Sequence, residues 1–299
     1  MTARLYQLAL YLLAPFALVG VLLHLIWGVA VAMTVFRFLP RAVRDALVMF
    51  WSRLLLVAVG VTVDLRVRDP EGVPERHPGA AGDGVRGTLL LSNHTSWLDI
   101  FSLSSVVPAR FVSKAEVAHW PLFGWLARGV GTLFVERGRR HAVAAINRSL
   151  ANRLAAGETI GIFPEGTTTN GTVVLPFHAN LIQPALDRGA RLRPVGVRYT
   201  QYGAHSEAAA YYGDMNILAS LWRVVTAPRL TVELHWLPPV DPAIANRQAV
   251  GRAARAAIGV ALRLPCDDAD SAAAAASEAL GEASDASHEA PDTQSLTAG

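Results

Sequence analysis

The residues best suited to chemistry are a histidine and an aspartate in the stretch LSNHTSWLD, which runs from Leu91 to Asp99. Histidine changes its charge near neutral pH, so His94 can take a proton and return it. An aspartate that reaches the far ring nitrogen fixes the tautomer and stabilises the imidazolium, and Asp99 is spaced to do this. A turn histidine followed by a helix-start carboxylate has the same spacing, so the pair alone leaves both interpretations open.

A second reactive stretch is FPEGTTTNG, which runs from Phe163 to Gly171 and again follows an apolar run. It supplies the carboxyl of Glu165, the flexible backbone of Gly166 and the hydroxyl of Thr167. Such a loop lets the backbone approach a polar ligand while the hydroxyls offer hydrogen bonds. A polar turn with glycines at positive φ is the structural alternative.

Two cations complete the set of candidate site residues. Arg137, in GTLFVERGRR, follows an apolar run and can bind an anionic group through two hydrogen bonds from its planar guanidinium. Lys114, in FVSKAEV, is the single lysine of the chain. A solvated basic turn would give the same pattern around Arg137.

Composition narrows the class of protein. The chain has 299 residues, of which 52% are hydrophobic, and it contains one cysteine. A disulfide framework and a cage of thiolates around a metal are therefore excluded, and a cysteine nucleophile is not expected. The region after Cys266 has eight acidic side chains and no Lys or Arg, which leaves 27 Lys and Arg against 16 acidic side chains before it. A basic body favours an anionic partner, such as nucleic acid, anionic lipid or a phosphorylated substrate.

The N-terminal region predicts attachment to a membrane. The run from Leu8 to Phe36 carries no Asp, Glu, Lys or Arg and exceeds the roughly 20 residues that cross a bilayer as a helix. A secretory signal peptide would have a shorter apolar region. The run from Ala46 to Val61 is interrupted by Arg53, which favours an interfacial or re-entrant helix over a second span. Three arginines lie between the two runs: Arg37, Arg41 and Arg44. They predict an inner (cytoplasmic) membrane protein whose catalytic domain faces the cytoplasm.

Beyond residue 87, short apolar runs alternate with helical segments, which predicts an α/β domain with a mixed, mostly parallel sheet flanked by helices. The predicted strands are Thr88–Ser92, Arg110–Lys114, Thr132–Glu136, Thr159–Phe163, Leu192–Tyr199 and Leu230–Trp236. The predicted organisation is a membrane-anchoring helical region at 1–67, the α/β domain at 68–265 and a disordered C-terminal tail at 266–299. Residues 68–87, rich in Gly, Pro and charge, predict a connecting loop. The tail has almost no large apolar residue with which to build a core.

Four stretches together resemble the motif blocks of the glycerolipid acyltransferases, and the nearest members are the bacterial 1-acylglycerol-3-phosphate acyltransferases. In order, they are NHTSWLD, GTLFVERGRR, FPEGTTTNG and LRPVGVRYT. The resemblance extends from about Thr88 to Tyr199, and the apolar N-terminus is similar to the membrane anchor of that family.

The resemblance implies a role for each matching residue. His94 would be the general base that deprotonates the acceptor hydroxyl, and Asp99 would orient its ring. Arg137 would bind the phosphate of the acceptor, with Lys114 as a second contact. Glu165, Gly166 and Thr167 belong to the block that holds the glycerol part. The partners implied are membrane lipid, a lyso-lipid acceptor, and acyl-CoA or acyl carrier protein as donor, with no cofactor, no metal and no nucleic acid.

One departure from the family leaves the acceptor open. Many lysophosphatidate-type members have an arginine where this chain has Thr168. We expect transfer of a fatty acyl group to 1-acylglycerol-3-phosphate (lysophosphatidate), which forms phosphatidate. Another lyso-lipid, such as lyso-ornithine lipid or a lysophospholipid, is the alternative acceptor. A non-enzymatic lipid-binding protein and a metal-dependent hydrolase are the alternatives of other classes, and the histidines lack the spacing of metal ligands.

Overall fold

An eight-stranded sheet forms the centre of the protein. The computed structural model describes residues 2–69, 87–135, 140–241, 243–244 and 246–266. In chain order, the strands are β1 (Thr62–Val67), β2 (Thr88–Ser92), β3 (Ala109–Lys114), β4 (Leu133–Val135), β5 (Thr159–Ile162), β6 (Arg191–Gln201), β7 (Ala204–His205) and β8 (Leu230–Trp236). Their order across the sheet is β1-β8-β6-β2-β5-β3-β4, and β7 pairs with β6.

The sheet is mixed and mostly parallel, as the sequence predicts. β2 pairs in parallel with both β5 and β6, while β6 and β8 run antiparallel. All five residues of β2 are buried, which explains why this strand has no polar alternation: both of its faces are covered. Because parallel strands end at the same edge, the segments that follow β2 and β5 leave the sheet side by side.

Eight α-helices surround the sheet in the described part of the chain. They are α1 (Thr2–Met33), α2 (Arg41–Ala58), α3 (Leu98–Ser104), α4 (Phe123–Val130), α5 (Arg140–Ala155), α6 (Gln183–Asp187), α7 (Ile217–Val225) and α8 (Arg247–Leu262). Asparagine caps start two of them: Asn216 accepts a hydrogen bond from the backbone of Leu218, and Asn246 from that of Gln248.

Helix α1 packs one face on the domain and exposes the other. Leu5–Met33 is long and apolar enough to cross a membrane, with a mean hydropathy of 2.3. Ala14, Val21 and Leu25 are buried against the core, whereas Phe16 is 75% exposed. At one end of α1, Gln7 donates a hydrogen bond of 3.0 Å to the carbonyl of Thr226. At the other end, Ala32 touches α4 so closely that a methyl group on Gly129 would lie 2.6 Å from its Cβ.

Helix α2 is fastened to the sheet domain by charged side chains. Asp45 is buried and pairs at 2.8 Å with Arg110 of β3. Arg53 donates to the carbonyl of Ser105 at 2.7 Å. Arg41 donates to the carbonyls of Ala156 and Gly157, both at 3.0 Å. The interfacial or re-entrant placement of this helix stays a prediction, but two of its arginines, Arg41 and Arg53, have hydrogen-bond partners in the domain.

The sheet begins earlier in the chain than the sequence indicated. Thr62–Val67, assigned above to the helical region, forms β1 and pairs in parallel with β8 over its whole length. The division at 67/68 stays a prediction as a domain boundary. Most of the predicted connecting loop, 70–86, and the predicted disordered tail beyond Cys266 lie outside the described residues.

Candidate active site

The site lies where β2 and β5 end. Leu91 of β2 is in register with Ile162 of β5, so Asn93–Trp97 and Phe163–Gly171 start next to each other. The two segments are joined directly, since the backbone N–H of Thr169 donates to the carbonyl of His94 at 2.9 Å. The sheet therefore brings together two stretches that are about 70 residues apart in sequence.

His94 and Asp99 form a hydrogen-bonded pair. His94 Nδ1 lies 2.7 Å from Asp99 Oδ2, which also accepts the backbone N–H groups of Thr95 at 2.7 Å and Ser96 at 2.9 Å. The Asp99 side chain is fully buried, and that of His94 is 19% exposed. Since the carboxylate is an acceptor, Nδ1 carries the proton and Nε2 keeps the lone pair, which is the tautomer that a general base needs.

The other Asp99 oxygen contacts a residue that the sequence analysis did not assign to the site. Tyr199 of β6 donates its hydroxyl to Asp99 Oδ1 at 2.7 Å across 100 residues of chain. Burial, followed by the charge of Asp99, raises the pKa of the Tyr199 phenol well above its usual value, so the phenol remains a donor. The sequence does contain a signal for this contact. Val195, Val197 and Tyr199 are every second residue of a predicted strand and therefore lie on one face, and a buried tyrosine hydroxyl requires a hydrogen-bond partner.

Asn93 was also missed, although it precedes the histidine. Its side chain donates to the carbonyl of Val197 at 2.9 Å and accepts the N–H of Val197 at 2.7 Å. This two-way contact fixes the segment before His94 against β6. Without its amide, the backbone of Val197 would lose both hydrogen bonds.

Aromatic rings support the His94 imidazole. Phe163 stacks on it with a centroid distance of 3.9 Å, and Phe111 stacks on Phe163 at 5.7 Å. Gly161 makes room for this arrangement, because a methyl group there would collide with the Phe111 ring. The histidine is thus held by a hydrogen bond at its edge and by a ring at its face.

Glu165 is buried beside the pair, with 4% of its surface exposed. Neither of its carboxyl oxygens has a hydrogen-bond partner among the described residues. Burial raises the pKa of the Glu165 carboxyl from its ordinary 4.5 to about 9; nearby backbone of His94 opposes this, and the charge of Asp99 adds to it. Glu165 is therefore neutral at pH 7 in the free protein, where it can donate a hydrogen bond as well as accept one.

The rest of the third block forms a tight turn. Gly166 has a φ of 70°, which favours glycine, and its N–H donates to the carbonyl of Phe163 at 3.1 Å. The next residue, Thr167, is exposed, and Thr168 is half-buried. The turn is what allows Glu165 to point inward while the hydroxyls that follow remain accessible.

The structure shows the position of one of the two cations predicted to belong to the site. Lys114 is exposed at the end of β3, where it is in register with Val135, the last residue of β4. Arg137 lies outside the described residues.

An apolar cavity adjoins the site. It lies between α1, α2, α3, β3 and α4, and its walls include Trp27, Gly28, Trp51, Phe101, Phe111 and Phe123. Phe111 belongs to this wall and stacks on Phe163, which in turn stacks on His94, so two rings connect the cavity to the histidine. The described residues include no group of three or more His, Cys, Asp or Glu side chains placed to hold a metal ion.

A mixed sheet that presents a histidine–aspartate pair at its strand ends, next to an apolar cavity, defines an α/β enzyme suited to chemistry on lipids. Residues 64–198 match the family model described as Acyltransferase. The chain belongs to this family, and its enzyme class is that of the O-acyltransferases of the lyso-lipid type.

Three relatives support the assignment, and one solved structure is similar in fold. The chain is 34% identical to a 1-acyl-sn-glycerol-3-phosphate acyltransferase of Neisseria meningitidis over 67% of this chain and 74% of that protein. For a protein of that name from Neisseria gonorrhoeae the identity is 36%, over 54% of this chain and 64% of the relative. It is 39% identical to a lyso-ornithine lipid O-acyltransferase of Pseudomonas aeruginosa, over 61% and 70%. In fold it is similar to the crystal structure of the 1-acyl-sn-glycerophosphate (LPA) acyltransferase of Thermotoga maritima, with a TM-score of 0.50, 19% identity, and coverage of 81% of this chain and 96% of that one.

Proposed function

We propose that this enzyme moves a fatty acyl group from acyl-CoA or acyl carrier protein to the free hydroxyl of 1-acylglycerol-3-phosphate, forming phosphatidate. The observation that carries the proposal is the 2.7 Å contact between His94 and the buried Asp99. It supplies a base with the correct tautomer next to an apolar cavity. The relatives named above support a lyso-lipid acceptor.

The reaction needs one base and no covalent acyl-enzyme. His94 Nε2 takes the proton of the acceptor hydroxyl while the oxygen attacks the thioester carbonyl carbon. The C–S bond of the resulting tetrahedral intermediate breaks, and the leaving thiolate takes the proton back from the imidazolium. Asp99 stays ionised throughout and balances the transient positive charge.

Different parts of the site would hold the two substrates. The apolar cavity, which reaches His94 through Phe111 and Phe163, suits the acyl chain of the donor. Glu165 and the turn at Gly166 suit the glycerol hydroxyl and its neighbouring oxygens. Lys114, together with Arg137, would neutralise the phosphate of the acceptor.

Membrane attachment would use the outer face of α1. Leu12, Phe16 and Leu23 on that face are 65%, 75% and 61% exposed. The opposite face is docked on the domain from Gln7 to Ala32, a helix length of about 38 Å. Lipid contact along this helix would hold the domain at the bilayer. Arg41, whose side chain binds the domain, belongs to the basic cluster that predicts the cytoplasmic side of the inner membrane.

A lyso-ornithine lipid is the second candidate acceptor, favoured by Thr168. At this position the chain has no cation for a phosphomonoester, and the Pseudomonas aeruginosa relative carries the lyso-ornithine name.

The test is an assay of the purified enzyme in vesicles. Labelled acyl-CoA and labelled acyl carrier protein are each offered with lysophosphatidate, lysophosphatidylglycerol and lyso-ornithine lipid. Fastest transfer to lysophosphatidate is expected. Preference for lyso-ornithine lipid would reassign the acceptor, and absence of transfer to every member of the panel would overturn the proposed function.

A further inference from the structure

Strand β6 holds the catalytic pair at two points. Asn93 is joined to the backbone of Val197 in both directions, and Tyr199, two residues further along β6, donates to Asp99. Both contacts lie on the strand that contains the fourth motif block, LRPVGVRYT. The strand therefore braces the segments on each side of His94.

The hydrogen bonds of Asp99 are unequally divided between its two oxygens. Oδ2 has three donors, which are His94 Nδ1 and the N–H groups of Thr95 and Ser96. Oδ1 accepts from Tyr199 at 2.7 Å. Asp99 and Tyr199 are 0% and 1% exposed, so bulk water has no access to replace a missing donor.

We propose that Tyr199 is a positioning residue for the acyl transfer, which acts on the reaction by fixing the rotation and the charge distribution of Asp99. This inference rests on the proposed function. It assigns to β6 the task of orienting the base.

The physical effect has two components. The short hydrogen bond to Oδ1 sets the carboxylate plane, and through it the direction of the His94 ring. It also draws negative charge toward Oδ1 and away from the oxygen that faces the imidazole. Removing the hydroxyl leaves more negative charge on the oxygen that faces His94, and this charge stabilises the imidazolium. It also leaves the carboxylate, and with it the His94 ring, less firmly oriented.

The test is the Tyr199→Phe variant, which keeps the buried ring and removes the hydroxyl. We expect kcat to fall about tenfold to a hundredfold, with KM for both substrates within about twofold. The acidic limb of the kcat/KM profile should move to higher pH, because the His94 ring of the variant stays protonated up to a higher pH. The matched control is Tyr212→Phe, whose hydroxyl contacts Glu207 at 3.4 Å on an exposed ring; its rate and pH profile should stay as in the wild type.

A double mutant separates positioning from a general loss of stability. In the Asp99→Asn background, Tyr199→Phe should have little further effect on kcat, because its partner charge is already gone. Independent, additive losses would overturn the proposal. So would an unchanged kcat and pH profile in Tyr199→Phe when the wild type is active.

A readout without turnover keeps this inference distinct from the proposed function. In ¹⁵N-labelled protein, the His94 ring signals can be titrated by NMR in detergent micelles. If no lyso-lipid is acylated by the wild type, the proposed function fails, but Tyr199→Phe should still move the titration of His94 to higher pH while Tyr212→Phe does not. An unmoved titration would overturn the role of Tyr199.

Discussion

The buried Glu165 carboxyl should make the folded protein less stable as pH rises. At pH 7 the unfolded chain has this group ionised, with its ordinary pKa of 4.5, whereas the folded protein keeps it protonated, with a pKa of about 9. The unfolded state therefore binds fewer protons between these two pH values, and the free energy of unfolding falls with pH across that window. The loss begins near pH 4.5 and ends near pH 9, where the folded carboxyl also ionises.

The magnitude follows from the width of the window. Each pH unit inside it lowers the free energy of unfolding by about 1.4 kcal/mol. From pH 4.5 to pH 7 the free energy of unfolding therefore falls by about 3 kcal/mol. Glu165→Gln has no ionisable group, so it should match the wild type near pH 4.5 and exceed its stability by about 3 kcal/mol at pH 7. The same variant should lose acyl transfer, since a site carboxyl has been replaced.

The assay is urea unfolding in detergent micelles, followed by tryptophan fluorescence at pH 5, 6, 7 and 8. The control is Glu158→Gln, which removes a carboxylate paired with Arg153 at 3.1 Å near the surface. The difference in free energy of unfolding between Glu158→Gln and the wild type should stay constant from pH 5 to pH 8. The reasoning would be refuted if the gain of Glu165→Gln in free energy of unfolding over the wild type did not grow with pH, or if the variant were less stable than the wild type at pH 8. Either result would mean that Glu165 is ionised in the folded protein.

Two further substitutions probe the substrate pockets. Gly161→Ala should push the Phe111 ring into the apolar cavity and lower kcat/KM for long-chain acyl-CoA by about tenfold relative to short-chain acyl-CoA, as measured over a series of donors. Gly20→Ala, whose methyl group would meet no atom within 4 Å, is the control, and an equal loss for all chain lengths would argue against the cavity as the acyl site. Thr168→Arg restores a cation in the third block and should raise kcat/KM for lysophosphatidate over lyso-ornithine lipid by about tenfold, as measured in a two-acceptor competition. An unchanged ratio would mean that this position does not contact the head group.

Most of the sheet could be predicted from the sequence because its central strands are short apolar runs with turns at both ends. Thr88–Ser92 is predicted with the observed bounds, and Thr159–Ile162 differs by one residue. Strand β1 was missed, since Thr62–Val67 carries Asp64 and Arg66 and directly follows an apolar helical run. An edge strand tolerates such charges, and its pairing with β8 joins residues that are more than 160 positions apart.

The pairing of His94 with Asp99 could be predicted from their local spacing, but the residues that support this pair could not. His94 and Asp99 lie within one turn-and-helix segment, so their proximity is largely a local property of the chain. Tyr199 contacts Asp99 from 100 residues away, and nothing in the local pattern says which strand lies beside β2. The burial of Glu165, whose carboxyl has no hydrogen-bond partner among the described residues, likewise depends on distant parts of the chain, since the charges of Asp99 and Arg255 both act on it.

The central claim is that His94 is the base for acyl transfer, and the rate of the His94→Ala enzyme tests it most directly. Purified wild-type, His94→Ala and His178→Ala proteins are compared in vesicles with labelled acyl-CoA and the preferred acceptor, after circular dichroism has established that all three are folded. The account predicts that His94→Ala loses activity by about a thousandfold or more, while His178→Ala, which removes an exposed imidazole, keeps the wild-type rate. A folded His94→Ala enzyme with an activity within tenfold of the wild type would contradict it.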